Sequence, residues 1–146
     1  MIARKDTDTE QLNQRLEKMS LDAYDAYISE GDLIPAHTVE TYFKEFMKKE
    51  GLSKTNLVRG SGLDRTYAYQ ILNGLRHPSK DKMLALCIAG RMTLKEVQRT
   101  LKIGQTGILY PKDPRDAVII LCINNKIYSI DEINNILEQK GFEIIR

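Results

Sequence analysis

The spacing of apolar positions predicts helices along almost the whole chain. In the first predicted helix the apolar residues recur at steps of three or four, with one final step of one: Leu12, Leu16, Met19, Ala23, Ala26 and Tyr27. This spacing puts them on one face of a helix with 3.6 residues per turn. Thr7 and Glu10 have the spacing of a capping box before this helix, and Pro35 follows its predicted end.

Four further helices are predicted between residues 39 and 90. Side chains that accept hydrogen bonds from backbone N–H groups begin three of them, and the predicted N-caps are Ser53, Asp64 and Ser79. Glycines are predicted to end them: Gly51, Gly62, Gly74 and Gly90. The chain is therefore expected to be all-α.

The C-terminal half contains an internal repeat. Residues 81–92 align with residues 116–127, and 93–97 align with 129–133 after one inserted residue, Tyr128. Both second helices are predicted to begin with a capping box, Thr93 with Glu96 and Ser129 with Glu132. The predicted unit is a two-helix hairpin present twice, and two copies are too few for a free-standing solenoid. Each copy is therefore expected to pack on another part of the protein.

Charge is unevenly distributed although the whole chain is nearly neutral. The net charge is −4 over residues 1–37, +5 over 38–91 and +1 over 92–146. A basic middle segment is typical of a module that binds a polyanion, but a solvated helical surface also carries such an excess. The longest apolar run, 117–123, is far shorter than the ~20 residues of a membrane helix, and no secretion signal is recognised. The expected location is the cytoplasm, without membrane contact.

No residue pattern indicates catalysis, a metal or a cofactor. His37 and His77 have no partner at metal-ligand spacing, and a Gly-rich phosphate loop and a nucleophile motif are both missing from the sequence. Cys87 and Cys122 occupy the same place in each repeat, within apolar runs, and are predicted to be buried, inert thiols. The sequence therefore predicts a protein that is not an enzyme.

Residues 53–74 are predicted to form a short helix, a glycine turn and a second helix. The apolar positions that would join the two helices are Leu57, Val58, Leu63, Ala68 and Ile71. The opposite face of the second helix carries hydrogen-bonding side chains and no carboxylate: Arg65, Thr66, Tyr69, Gln70 and Asn73. Such a helix fits the major groove of DNA, where Arg pairs with guanine and Gln or Asn with adenine. For Tyr67 and Tyr69, simple packing is the alternative interpretation.

The stretch SKTNLVRGSGLDRTYAYQILNGLRHPS resembles the Cro/CI (lambda-repressor-like, XRE) helix-turn-helix family. The residues that carry the resemblance are Gly62, Leu63, Ile71, Asn73, Gly74, Arg76, Pro78 and Ser79. The resemblance covers about residues 38–103. It implies five helices, with Arg65, Thr66, Tyr69 and Gln70 facing base edges. It also implies phosphate contacts from Ser53, Lys54, Asn73, Arg76 and Lys80.

These observations predict an all-α chain in three parts: an acidic N-terminal helical arm over 1–37, a five-helix lambda-repressor-like helix-turn-helix domain over 38–105, and a helical hairpin over 106–146. The expected function is sequence-specific DNA binding in transcriptional regulation, with helix 64–73 in the major groove of double-stranded DNA. A homodimer is expected, joined through the 118–123 face, the 130–137 face or the N-terminal helix. The alternative is a protein–protein adaptor or antitoxin-like partner that uses the helix-turn-helix as a scaffold, with a protein bound through the N-terminal arm or the C-terminal hairpin.

Overall fold

A computed structural model of the chain describes residues 9–18 and 38–146. Within these ranges all regular secondary structure is helical, which confirms the predicted all-α class. The described helices are α1 (Thr9–Lys18), α2 (Val39–Glu50), α3 (Lys54–Ser61), α4 (Arg65–Leu72), α5 (Lys80–Ala89), α6 (Leu94–Ile103), α7 (Pro114–Asn124) and α8 (Ile130–Gln139). Contacts divide the chain near residue 36, with α1 in the first unit and α2–α8 in the second. The predicted capping box at Thr7 and the predicted helix beyond residue 18 lie outside the described residues.

Local capping explains where the helices of the second unit begin. The side chains of Ser53, Asp64 and Ser79 each accept a hydrogen bond from the backbone N–H three residues later, as predicted. At Thr93 the capping box is complete, because the Glu96 carboxylate also accepts from the Thr93 N–H. At Ser129 the prediction was only half right: its hydroxyl accepts from the Glu132 N–H at 3.2 Å, and Glu132 makes no reciprocal bond.

Helix α5 lies at the centre of the second unit. Its residues from Met83 to Ile88 are all buried, so it has no solvent-facing side over that stretch. It packs against α3, α6 and α8. The approach of α3 is close, since a Cβ added at Gly60 would lie 3.3 Å from the Ala89 Cβ. A helix that is apolar on all faces is expected in such a position, because each face needs an apolar neighbour.

The two predicted hairpins, α5–α6 and α7–α8, are present and end their first helices in the same way. Arg91 and Lys126 are both in the left-handed region, with φ of 55° and 59°. The next N–H group in each hairpin donates to the carbonyl of the repeat's cysteine, Met92 to Cys87 and Ile127 to Cys122. These paired bonds satisfy carbonyls at the helix end as in a Schellman motif, and they confirm the internal repeat at the level of the backbone.

The repeat extends beyond the residues that the sequence alignment covered. In the first hairpin the Gln98 amide both donates to and accepts from the backbone of Leu109, at 2.8 Å in each case. In the second hairpin Asn134 does the same to Ile145, at 3.2 and 2.7 Å. Leu109 and Ile145 are buried. Each hairpin therefore ends in a short tail that a side-chain amide of its second helix holds in the core.

The two hairpins contact each other reciprocally. Helix α5 packs on α8, and α6 packs on α7. Lys80 pairs with Asp116 at 2.8 Å, whereas the aligned pair exchanges the roles, with Arg115 on Asp81 at 2.9 Å. The hairpins are therefore related by an approximate two-fold axis. This arrangement explains how two copies suffice, because each covers the other and α5 also packs on α3.

Candidate nucleic-acid interface

Helices α3 and α4 are joined by a turn at Gly62. Gly62 has φ of 69°, and a Cβ added there would meet nothing within 4 Å. The turn therefore requires glycine for its backbone conformation and not for space. The apolar side chains predicted to join the two helices do so: Leu57, Val58, Ala68 and Ile71 are buried, and Leu63 is half-buried against the core.

The outer face of α4 presents the polar side chains that the sequence placed there. Arg65 and Thr66 are exposed in the first turn, directly after the Asp64 N-cap. Tyr69 and Gln70 are half-buried, and Asn73 is exposed at the end of the helix. The base-contacting candidates are thus brought together on one side of α4, which has no acidic residue of its own.

Two side-chain hydrogen bonds connect this face to the N-terminus of α3. The Lys54 ammonium donates to the Asn73 Oδ1 at 2.6 Å. The Thr55 hydroxyl and the Tyr69 hydroxyl lie 3.1 Å apart, within hydrogen-bonding distance. Ser53, which caps α3, immediately precedes this pair of contacts. The structure therefore joins two of the predicted phosphate-contacting residues, Lys54 and Asn73, to each other beside the polar face of α4, and Ser53 lies next to Lys54 in the chain.

Cations gather around the two tyrosines of α4. The guanidinium of Arg65 lies 5.8 Å from the ring centre of Tyr69. The ring of Tyr67 has two cations near it, Arg76 at 5.8 Å and Lys82 at 5.6 Å. Such contacts are attractive because the ring face carries partial negative charge. Tyr67 and Tyr69 are both partly buried against the core, as the packing interpretation expects. Tyr67 has cations beside it as well, and one of them, Lys82, was not among the residues predicted from the sequence.

The Arg76 guanidinium also bonds a residue on the polar face of α4 directly. Its Nε donates to the Gln70 Oε1 at 3.0 Å. Among the described residues no carboxylate lies within ion-pair distance of Arg65, Arg76 or Lys82. These three cations are therefore not engaged in ion pairs within the described part of the chain and are available to attract a polyanion.

Lys80 is not brought together with the other predicted contacts. Its ammonium lies 2.8 Å from the Asp116 carboxylate, with 27% of the lysine side chain exposed. This ion pair belongs to the contact between the hairpins. The local sequence around Lys80 does not indicate this ion pair, because Asp116 lies 36 residues away along the chain.

The two cysteines lie in the protein core, away from the polar face of α4. Cys87 and Cys122 are free and buried, as predicted. Desolvation by burial, the largest cause, raises the pKa of the Cys87 thiol from 9.0 to about 12. The described residues contain no group of three or more His, Cys, Asp or Glu side chains that could hold a metal ion.

A cleft of about 590 Å³ lies between the turn that joins α3 to α4 and the N-terminus of α8. Its walls carry both cations and carboxylates, including Arg59, Lys82, Asp64 and Asp131. Because charges of both signs share the walls, the cleft favours neither an anionic nor a cationic ligand. It does show that the second hairpin borders the turn before α4.

Comparisons with known proteins add no family. The chain matches no protein-family model, no curated protein and no solved structure at a significant level. None of the described helices is both long and apolar enough to cross a membrane. The features of the chain that point to a function are the geometry around α4 and the resemblance of residues 53–79.

Proposed function

We propose that this chain is a sequence-specific DNA-binding transcriptional regulator whose segment 64–73 enters the major groove. In this proposal α2–α6 correspond to the five helices of the lambda-repressor-like domain that residues 38–103 resemble. The observation that carries the proposal is the exposed polar face of α4, with Arg65 and Thr66 in its first turn. A groove-binding helix makes its base contacts through such N-terminal residues. Regulation would follow from occupancy of the site.

The contacts around α4 refine the proposed roles. Arg65 and Thr66 are the foremost base-contacting residues, followed by Tyr69 and Gln70, whose side chains are partly engaged within the protein. Ser53 at the N-terminus of α3 offers phosphate the unsatisfied N–H groups and the positive end of the helix dipole.

The cations around this face would contact the phosphate backbone. Lys54 and Arg76 keep free N–H donors for phosphate after their bonds to Asn73 and Gln70. Lys82 joins this group because it lies beside Tyr67. Lys80 contributes less than the others, since Asp116 already neutralises its charge.

A homodimer on a palindromic site completes the proposal. A single module of this size buries too little surface for tight specific binding. Of the candidate dimer faces, the 130–137 face is occupied, because Ile133 and Leu137 are fully buried in the core. On α7, Leu121 is 60% exposed although the aligned Leu86 is fully buried. The α7 face around Leu121 is therefore the proposed contact between two copies.

Selection of bound sites from a random DNA pool tests the proposal. The wild type should enrich a two-fold symmetric sequence, and its affinity should fall steeply with salt, by about 0.9 in log–log slope per contacted phosphate. Arg65→Ala should lose about 1–3 kcal/mol of preference for the enriched site over random DNA. Lys112→Ala, which removes an exposed cation from the loop before α7, serves as the matched control and should keep that preference.

The same experiment decides between the two functional classes. If the wild type enriches no sequence, or binds DNA without salt dependence, the regulator is excluded and the adaptor is favoured. If Arg65→Ala and Lys112→Ala lose preference equally, α4 is not the helix that meets the bases.

A further inference from the structure

The side-chain amide of Gln70 is held in one orientation. Its Oε1 accepts a hydrogen bond from the Arg76 Nε at 3.0 Å. A guanidinium has only donors, so this bond forms only when the amide oxygen is turned toward Arg76. The Nε2 group is then directed away from that bond. Within the described residues no hydrogen bond engages Nε2, so both of its N–H donors remain available.

Arg76 is itself fixed at a second point, although its side chain is exposed. Its guanidinium lies 5.8 Å from the centre of the Tyr67 ring, and the Lys82 ammonium lies 5.6 Å from the same ring. A planar guanidinium can stack on a ring and donate sideways to an amide at the same time. A lysine in its place would keep the charge but lose this geometry.

We infer that Arg76 is a positioning residue that determines which end of the Gln70 amide meets the DNA. This inference rests on the proposed function and specifies its base readout. An unconstrained glutamine pairs with adenine through both ends, accepting from N6 and donating to N7. Because Arg76 holds the oxygen, Gln70 presents its donor end. It therefore favours a base whose major-groove edge is rich in acceptors, guanine with N7 and O6 or thymine with O4.

The test compares sites selected by the wild type, Gln70→Ala, Arg76→Lys and the double variant. The wild type should prefer guanine or thymine at one base pair, and Gln70→Ala should lose that preference. Arg76→Lys keeps the positive charge, so the salt dependence of binding should be unchanged. Its preference at the same base pair should nevertheless fall by about tenfold, or shift toward adenine. The double variant should then match Gln70→Ala.

The controls separate this inference from simpler explanations. Lys112→Arg, a conservative exchange at an exposed position outside the site, should select the wild-type sequence. A residue that only contacts phosphate would weaken binding to all sequences alike when changed. If Arg76→Lys behaves so and leaves the base preference intact, or if the wild type selects adenine at the Gln70 position, the inference is wrong and the regulator stands. If the wild type enriches no sequence at all, the proposed function fails first and this readout fails with it.

Discussion

Replacing Asp116 by alanine tests how far the two hairpins depend on each other. Asp116 is 5% exposed, and a single carboxylate oxygen accepts both the Lys80 ammonium at 2.8 Å and the Tyr110 N–H at 2.9 Å. One donor comes from the first turn of α5 and the other from the tail of the first hairpin. The substitution therefore removes an acceptor that joins α5, this tail and α7 at one point.

The expected loss in free energy of unfolding follows from the two donors, the Lys80 ammonium and the Tyr110 N–H, that lose their acceptor in Asp116→Ala. Losing the partner of a fully buried backbone N–H costs about 1–3 kcal/mol, which is an upper bound for the part-buried Tyr110 N–H, and a hydrogen bond to a charged group contributes about 1.5–3 kcal/mol. The lysine side chain is 27% exposed, so water recovers part of the second contribution. Breaking a fully buried ion pair costs about 3–5 kcal/mol, which sets the upper limit. We expect Asp116→Ala to lower the free energy of unfolding by about 3 kcal/mol.

The internal repeat supplies a matched control. Asp81 occupies the aligned position and pairs with Arg115, but its side chain is 24% exposed, and Arg115 also donates to the carbonyls of Glu143 and Ile144. Arg115 keeps those partners in Asp81→Ala, so this variant should lose only about 1–2 kcal/mol. Asp116→Asn, which can still accept from the Tyr110 N–H, should lie between the wild type and Asp116→Ala.

Urea unfolding followed by circular dichroism measures these differences, with an unchanged slope required for comparison. The double variant Lys80→Met/Asp116→Ala should be more stable than Asp116→Ala alone, because no unpaired ammonium remains. Equal losses in Asp116→Ala and Asp81→Ala would refute the reasoning. So would an Asp116→Ala variant within about 0.5 kcal/mol of the wild type, the range of an ordinary surface substitution.

Two further predictions concern a buried thiol, Cys87, and an exposed leucine, Leu121. Burial raises the pKa of the Cys87 thiol from 9.0 to about 12, so between these pH values only the unfolded thiol ionises. The free energy of unfolding should therefore fall as pH rises above 9, by at most about 1.4 kcal/mol per pH unit for this group. Cys87→Ala should reduce this pH dependence, and an unaltered change of unfolding free energy with pH would contradict the prediction. Leu121→Glu should convert a homodimer to a folded monomer in sedimentation, whereas Lys126→Glu, an exposed change just beyond α7, should not; a Leu121→Glu dimer would exclude this face.

Much of the fold was predictable because its signals are local. An N-cap such as Ser53, Asp64 or Ser79 bonds a backbone group three residues away, so sequence and geometry coincide within one turn. The repeat was visible because apolar positions and caps recur in the same order. The tails were not visible, since Gln98 and Asn134 differ in type and each bonds a residue eleven positions further on.

In the candidate site, too, the local features were predictable from the sequence and the long-range contacts were not. The outward positions of α4 follow from helical periodicity, and Arg65 and Thr66 are exposed as expected. The pairing of Lys80 with Asp116 could not be read from the sequence, because it depends on how two hairpins pack. The same limit applies to Lys82, which reaches the Tyr67 ring only because α5 begins beside α4.

These long-range contacts converge on the first turn of α5. Three successive residues there contact two other helices: Lys80 and Asp81 pair with Asp116 and Arg115 of α7, and Lys82 lies at the Tyr67 ring of α4. Asp81 also accepts from the N–H of Arg146 in the second tail. The second hairpin therefore holds in place the turn that contributes a cation to the proposed DNA face. The second hairpin, α7–α8 with its tail, thus contacts the same turn of α5 that brings Lys82 to Tyr67 of α4, so the position of this cation on the proposed DNA face depends on how the hairpin packs.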